Sequence, residues 1–219
     1  MRVDIWSDIV CPWCYIGKRR FESALAAYDA NGELEIVHHA FQLNPSAPRD
    51  RTASRREMLM QKYGLTPEQM VATDARMTQL AAEEGLDYHL EAAVTGNTRD
   101  AHQLVQFARE QARQDAMIER LYRAYFSEGR SVFEQDSLVD LAVDVGLDAE
   151  AVRKALREGR YDSAVQEDVD LARRIGITGV PFVVFNGKYG LSGAQPSSVF
   201  LEALSRITNS QDDPAHRLN

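Results

Sequence analysis

Apolar residues are spaced differently along different parts of the chain, and each spacing predicts an element. Residues 2–7, Arg-Val-Asp-Ile-Trp-Ser, form a short run of β-branched and aromatic side chains, the composition of a buried strand. From Pro12 to about Ala30, Phe21, Leu25 and Tyr28 recur at steps of four and three, which predicts a helix with one apolar face, ended by Asn31-Gly32. Leu34 to Phe41 is rich in Ile, Val and Phe and reads as a second strand; Asn44-Pro45 and Ala47-Pro48 then break regular structure. At the far end, residues 161–175 predict a helix closed by Gly176. Phe182 to Phe185 is a strongly apolar strand, and Asn186-Gly187 after it is the strongest short hairpin signal, with Tyr189 to Ser192 as the return strand. Phe200, Leu201 and Leu204 mark a closing helix, and from about Asn209 the chain is polar and expected to fray.

The middle, about 53 to 160, offers no convincing strand. Thr66-Pro67-Glu68-Gln69 is a helix start, with a capping Thr, Pro at the first position and Gln three after the cap. Three helical stripes follow: Ala101, Leu104, Val105 and Ala108; Ile118, Leu121, Tyr122 and Tyr125; Leu138, Leu141, Ala142 and Val145. Gly85, Gly129, Gly146 and Gly159 stand where helices end, and Asp148 where one begins. A helical block of ~100 residues between two strands is too long for a loop. The order is therefore β-α-β, a helical block, then α-β-β-α, with one sheet assembled from both ends of the chain.

At 219 residues, with 44% apolar and 26% charged side chains, the chain has a globular balance and can bury a core without metal or disulfide staples. The length allows one large or two small units. The net charge of −8, from 25 basic and 33 acidic residues, leaves no whole-chain footprint for nucleic acid. There is no apolar run of membrane-spanning length. The first eight residues carry Asp4 and Asp8 where a secretory signal needs an apolar stretch, so the expectation is a soluble cytoplasmic protein.

The chemistry to weigh lies in the two cysteines, Cys11 and Cys14. In a cytosolic chain of this size a close pair is catalytic or metal-binding rather than a structural framework. Cys11-Pro12-Trp13-Cys14 falls between the first strand and the first helix. A helix N-terminus presents unpaired N–H groups and partial positive charge, which favours an anion and hence a nucleophilic thiolate at Cys11. Residues three apart on a helix have Cβ atoms roughly 5–6 Å apart, near the span of a disulfide, so Cys14 can resolve a mixed disulfide formed at Cys11. Pro12 suits the helix start and removes one donor near the sulfur, while Trp13 flanks the pair. Zinc would need two more ligands, and His38, His39, His89, His102 and His216 supply no second paired motif, so no metal is expected. Thr178-Gly179-Val180-Pro181 precedes the apolar strand of the far end; a cis Val180–Pro181 bond would expose the Val180 backbone to an extended peptide beside the dithiol.

Several of these segments carry a resemblance. Ser7 to Lys18 with its Cys-Pro-Trp-Cys, Phe41-Gln42-Leu43-Asn44-Pro45, Asn97 to His102, Gly179-Val180-Pro181-Phe182 and Ser192 to Pro196 resemble, in order, the FrnE-like branch of the DsbA family. The resemblance implies an α/β thioredoxin fold with a large all-helical domain inserted. The thioredoxin-like domain would comprise 1–50 and 160–210, the insertion 51–159, and 211–219 a flexible tail. It implies thiol–disulfide oxidoreductase or isomerase activity on protein and peptide thiols, with Cys11 attacking, Cys14 resolving and Val180–Pro181 cis. It implies no cofactor beyond the redox-active dithiol, with glutathione as a possible reductant or partner. Some relatives carry a second cysteine pair; this chain does not.

The same superfamily holds kappa-class glutathione transferases and 2-hydroxychromene-2-carboxylate isomerases, similar in architecture and in Asn97-Thr98-Arg99. They usually carry serine where Cys11 stands, so the intact dithiol argues against that alternative. A non-catalytic peptide-binding holdase, motivated by the large insertion, is the other alternative. Among the remaining residues, His102 lies on an apolar stripe and reads as a core or interface histidine; its functional alternative is to line the cleft opposite Cys11, with Asn97 nearby. Arg49, Arg51, Arg55 and Arg56 read as a solvated helix start, or as a site for glutathione carboxylates. Lys18 reads as a solvated surface lysine, or as a support for the thiolate. Tyr15 packs beside the site.

Overall fold

The computed structural model describes residues 1–28, 34–91 and 93–212. Asn31-Gly32, expected to end the first helix, and the tail beyond 212, with His216, lie outside the described residues. The chain runs β1 (Arg2–Ser7), α1 (Pro12–Ala27), β2 (Glu35–Ala40), β3 (Ala53–Ser54), α2 (Arg55–Tyr63), α3 (Pro67–Glu83), β4 (Val94–Thr95) and α4 (Arg99–Glu110). It continues with α5 (Gln114–Phe126), α6 (Gln135–Asp144), α7 (Ala149–Arg157), α8 (Asp162–Arg174), β5 (Phe182–Phe185), β6 (Tyr189–Ser192) and α9 (Ser197–Asp212).

One four-stranded sheet, in the order β2-β1-β5-β6, joins the two ends of the chain as expected. β1 and β2 are parallel, with Arg2 opposite Glu35 and Ser7 opposite Ala40; β5 runs antiparallel to β1 and β6 antiparallel to β5. The Asn186-Gly187 turn has positive φ at both residues, 49° and 66°, which matches the right-handed twist of the hairpin. Alternation along the strands splits the core. Val3, Val183 and Phe185 pack with Phe21 of α1 and Phe200 and Leu204 of α9, whereas Trp6 and Val184 pack with Ala172 of α8 and Ile177 on the other face.

His38 and His39, adjacent in sequence, follow the same rule and diverge. His39 stacks on Trp6, its ring centroid 4.4 Å away, and lies between two carboxylates: Nδ1 meets Asp168 Oδ1 at 2.5 Å and Nε2 meets Asp4 Oδ1 at 2.8 Å. With an acceptor at each nitrogen the ring holds both protons. Burial opposes that charge, and the bonds to Asp168 and Asp4 outweigh it, so the imidazole is raised above its ordinary value. Asp168 also accepts from Ala40 N–H (2.9 Å) and Gln106 Nε2 (2.6 Å), tying α8 to β2 and α4. On the outer side of β2 the Gln114 amide accepts from His38 N–H (3.1 Å) and donates to His38 O (2.9 Å), occupying the strand edge.

The largest core runs through the helical block and continues beneath the start of α1, taking in Ile9, Cys11, Cys14, Tyr15 and Ile16 together with Leu104, Leu121, Tyr122, Phe126 and Leu141. Thr66 and Gln69 form the expected reciprocal cap, and Asp148 accepts from Ala151 N–H at 2.8 Å. Gly85, Gly129, Gly146 and Gly159 all have positive φ. The middle differs from expectation in holding a strand pair, β3 with β4, each of two residues. A pair so short, built partly from Ala53 and Ser54, carries no period-two signal.

Candidate active site

Cys11 is the N-cap residue of α1, with extended backbone (φ −86°, ψ 111°), and Pro12 opens the helix. The Cys11 N–H donates to Asp8 O and the Cys14 N–H to Cys11 O, both at 3.0 Å, so the loop and the first turn hold the two thiols together. Both cysteines are buried and free, while Trp13 between them is 39% exposed. Val180–Pro181 is cis, as the resemblance implied, and the Cys11 thiol lies 3.6 Å from Val180 O. Gly17, one turn along α1, makes room for this loop: a Cβ there would stand 3.0 Å from Pro181 Cγ.

Burial pushes the Cys14 thiol well above its ordinary value and the neighbouring Cys11 adds to the effect; a bond with the Asp8 backbone opposes it, and the Asp8 carboxylate adds a smaller push upward. Cys14 is therefore held as a neutral thiol. An aromatic wall, largely from the helical block, packs beside the pair. Tyr122 stacks on Tyr15 at 4.9 Å and Tyr88 on Phe126 at 4.6 Å between centroids. The Tyr88 hydroxyl donates to Pro12 O at 2.8 Å, fixing the residue between the cysteines. The insertion that motivated a holdase reading thus builds the floor under the dithiol.

Asp8 is the residue the sequence reading passed over. It is 1% exposed, and beyond its carbonyl bond to Cys11 its Oδ2 accepts from Leu43 N–H at 2.8 Å. His102 Nε2 lies 3.2 Å from Asp8 Oδ1 and 3.0 Å from Phe41 O. Both neighbours are acceptors, so Nε2 carries the proton and donates. His102 is a core histidine, as its stripe suggested, and it reaches the active-site loop through Asp8 rather than facing an open cleft. Asp8 stands three residues before Cys11 in an otherwise apolar stretch, Ile9-Val10, where an acid needs a partner; that was the available signal.

The other candidates resolve differently. Asn97 donates to Ala47 O (2.7 Å) and Pro45 O (3.4 Å) and accepts from Gln42 Nε2 and Arg99 N–H, each at 3.0 Å. Its amide is fully used in pinning the 44–47 turn to α4. Arg99 is spent on Asp162 and Gln166. The four arginines do not form one solvated cluster. Arg55 is buried and pairs with Asp74 at 2.7 Å, Arg56 joins the same carboxylate at 2.9 Å, and Arg49 pairs with Asp100. Lys18 is not a solvated lysine either: its side chain is 8% exposed and pairs with Glu22, with Asp115 at 3.2 Å and with Glu119 at 3.3 Å. Tyr15 packs beside the site and donates to Glu119 at 2.7 Å. Among the described residues no group of three or more His, Cys, Asp or Glu is placed to hold a metal ion, and no helix is long and apolar enough to cross a membrane.

The model of the DSBA-like thioredoxin domain family matches residues 2–205. The probable DsbA oxidoreductase SCO1869 from Streptomyces coelicolor is 44% identical, covers 95% of this chain and 90% of its own, and superposes with a TM-score of 0.91. The uncharacterized protein YwbO of Bacillus subtilis (strain 168) is 26% identical over 94% of this chain and 96% of its own. The cytosolic disulfide reductase DsbM from Pseudomonas aeruginosa, 22% identical over 94% of this chain and all (100%) of its own, shares the fold with a TM-score of 0.66.

Proposed function

Because the chain belongs to the DSBA-like thioredoxin domain family, with a thioredoxin fold interrupted by helices, we propose that it is a thiol–disulfide oxidoreductase working through Cys11 and Cys14. One observation carries the reading: a thiol at the N-cap of a helix, 3.6 Å from the Val180 carbonyl, with a second thiol one turn behind it in the core. The Cys11 thiolate attacks one sulfur of a substrate disulfide. That S–S bond breaks, one substrate thiolate leaves, and a mixed disulfide remains on Cys11. Cys14 then loses its proton and attacks Cys11 Sγ, the second substrate thiolate leaves, and the Cys11–Cys14 disulfide forms. Two electrons pass from the dithiol to the substrate; the reverse sequence oxidises a substrate dithiol. Extended peptide lies along the Val180 backbone beside the Cys11 thiol.

The domain division follows the same proposal, with 1–50 and 160–210 as the thioredoxin-like unit and 51–159 as the insertion. The cytoplasm is the proposed compartment and glutathione the proposed reductant; DsbM is a cytosolic reductase and has been seen with GSH. Of the two motives for the isomerase or transferase alternative, the shared architecture stands, whereas Asn97 and Arg99 are committed to internal bonds.

The test uses two variants and a disulfide substrate such as insulin. Cys11→Ser abolishes reduction and forms no mixed disulfide; Cys14→Ser accumulates one that denaturing gels detect. Unchanged insulin reduction by Cys11→Ser overturns the proposal. The potential in glutathione buffers then sets direction: below about −230 mV the pair rests reduced in a cytosol, above about −180 mV it oxidises or isomerises.

A further inference from the structure

The turn after β6, Ser192 to Pro196, carries part of the resemblance noted above, yet thiol exchange gives it no task. Gly193, at a φ of 82° that glycine adopts freely, donates its N–H to Pro181 O at 2.8 Å, one position beyond the Phe182–Ser192 end of the β5–β6 ladder. The turn is thereby laced to the loop whose Val180 carbonyl faces the Cys11 thiol at 3.6 Å. It is also braced from inside: Gln195 N–H donates to Gly193 O at 2.9 Å, and the Gln195 side-chain amide to Ser192 O at 2.7 Å.

The remaining carbonyl of the turn, Ala194 O, accepts from Arg20 Nη1 of α1 at 2.7 Å. The same guanidinium donates from Nε to Glu84 Oε1 at 2.6 Å, and Glu84 is the residue on which α3 of the helical block ends. Both side chains are mostly buried. Gly17 lies one turn before Arg20 on the same face of α1, where a Cβ would meet Pro181 Cγ at 3.0 Å and Ala194 Cβ at 3.4 Å. Val180 and Ala194 both pack against the core that contains Cys11 and Cys14. A partly exposed ion pair by itself contributes little. Here one planar fork spans a carboxylate and a main-chain carbonyl and fixes the distance between them.

We propose that Arg20, anchored by Glu84, is a positioning residue that holds the Val180–Pro181 loop at the height over Cys11 where a substrate backbone can pair with it. The proposal rests on the dithiol reading above and adds what holds its peptide-pairing strand in place. Arg20 touches neither sulfur nor substrate; it acts through Ala194 O, Gly193 N–H and Pro181 O. Without it the turn keeps its bond to Pro181 but loses its polar tie to α1, the helix that carries the dithiol. The loss falls on substrates that use their backbone. A peptide disulfide needs both the Cys11 sulfur and the Val180 main chain, whereas hydroxyethyl disulfide, which has no peptide group, needs only the sulfur. The bond changes are the same for both: Cys11 thiolate attacks, the S–S bond breaks, one half leaves as thiolate and the other stays on Cys11.

The experiment measures mixed-disulfide formation in a Cys14→Ser background, with a symmetric peptide disulfide and hydroxyethyl disulfide in parallel, by acid quench and mass spectrometry. Arg20→Met keeps the packing of the stem and removes every donor. It is expected to slow the peptide about tenfold, the scale of one charge-assisted hydrogen bond, while hydroxyethyl disulfide reacts at the parent rate. Arg20→Lys, a point donor without the fork, is expected to restore part of the peptide rate. Glu84→Gln frees the far end of the guanidinium and slows the peptide severalfold with the same split. A folded Arg20→Met that treats the two disulfides alike, slowing both equally or neither, overturns the inference and leaves the dithiol reading standing. If Arg20→Met does not fold, equal effects on the two disulfides in Glu84→Gln overturn it. A parent that forms a mixed disulfide with neither reagent removes the dithiol reading, and the inference with it.

Discussion

Replacing His39 by Gln tests the ion bridge across the sheet. The wild-type imidazolium donates to Asp168 and Asp4, and Asp4 is also gripped by Arg2, with Nη2 2.8 Å and Nε 3.0 Å from Oδ1. Glutamine reaches one acceptor at best and leaves the other carboxylate buried without its cation. Breaking a buried ion pair by removing one partner costs about 3–5 kcal/mol. At an unfolding entropy of about 2.1 cal/mol/K per residue, 219 residues turn that into about 7–11 °C of Tm. The loss has a pH signature. His39 is raised in the folded state, so above the unfolded value of about 6.5 the native chain holds a proton that the unfolded chain has released. Its stabilisation is complete below that value and drains away as pH rises through the folded value. Above about 8.5 the raised Cys14 thiol adds loss of the same sign, so the diagnostic quantity is wild type minus variant between pH 6 and 8. Urea unfolding followed by circular dichroism at half-unit pH steps measures it. A difference below about 1 kcal/mol, or one that does not shrink with rising pH, refutes the charged bridge.

Three further outcomes are expected at the dithiol. Tyr88→Phe removes the bond to Pro12 O, costs about 1 kcal/mol in urea unfolding and slows insulin reduction by loosening the loop. Asp8→Asn in a Cys11→Ser background removes a like charge from beside Cys14, so the Cys14 titration followed by thiolate absorbance moves down toward its ordinary range. Gly17→Val drives a side chain into Pro181, 3.0 Å from where its Cβ must go, and lowers turnover with little change in far-ultraviolet circular dichroism.

What the sequence disclosed was local chemistry. The hairpin at Asn186-Gly187, the reciprocal cap at Thr66 and the placement of Cys11 at a helix start are each written in a few consecutive residues, and each stands where expected. α2 is foreshadowed only by the helix start at Arg55 and Arg56, although Ser54 with Glu57 three residues on and Gly64 at the end are its cap signals. The ion pairs were not legible. Asp168 lies 129 positions from His39 and Asp8 lies 94 from His102, and pairings at such separations leave no periodic trace. Lys18 has one partner in helical register, Glu22, but the burial that distinguishes it from a surface lysine comes from Asp115 and Glu119 on α5, brought over by the fold. Alternation on β2 required that His38 and His39 face apart, while their partners depended on the helices above and below.

The Gln114 amide on β2 has a consequence for self-association. A sheet margin with free N–H and C=O groups is a template on which other chains can polymerise. On the β2 side the outward groups of His38 are both taken by Gln114, and the outward Ala40 N–H is taken by Asp168. At these positions the margin is occupied by side chains rather than by another strand. The β6 margin, Tyr189 to Ser192, is largely exposed. A strand added along β2 would have to displace Gln114 and Asp168 from His38 and Ala40, whereas β6 is largely exposed, so the two margins of the sheet are unequal as templates.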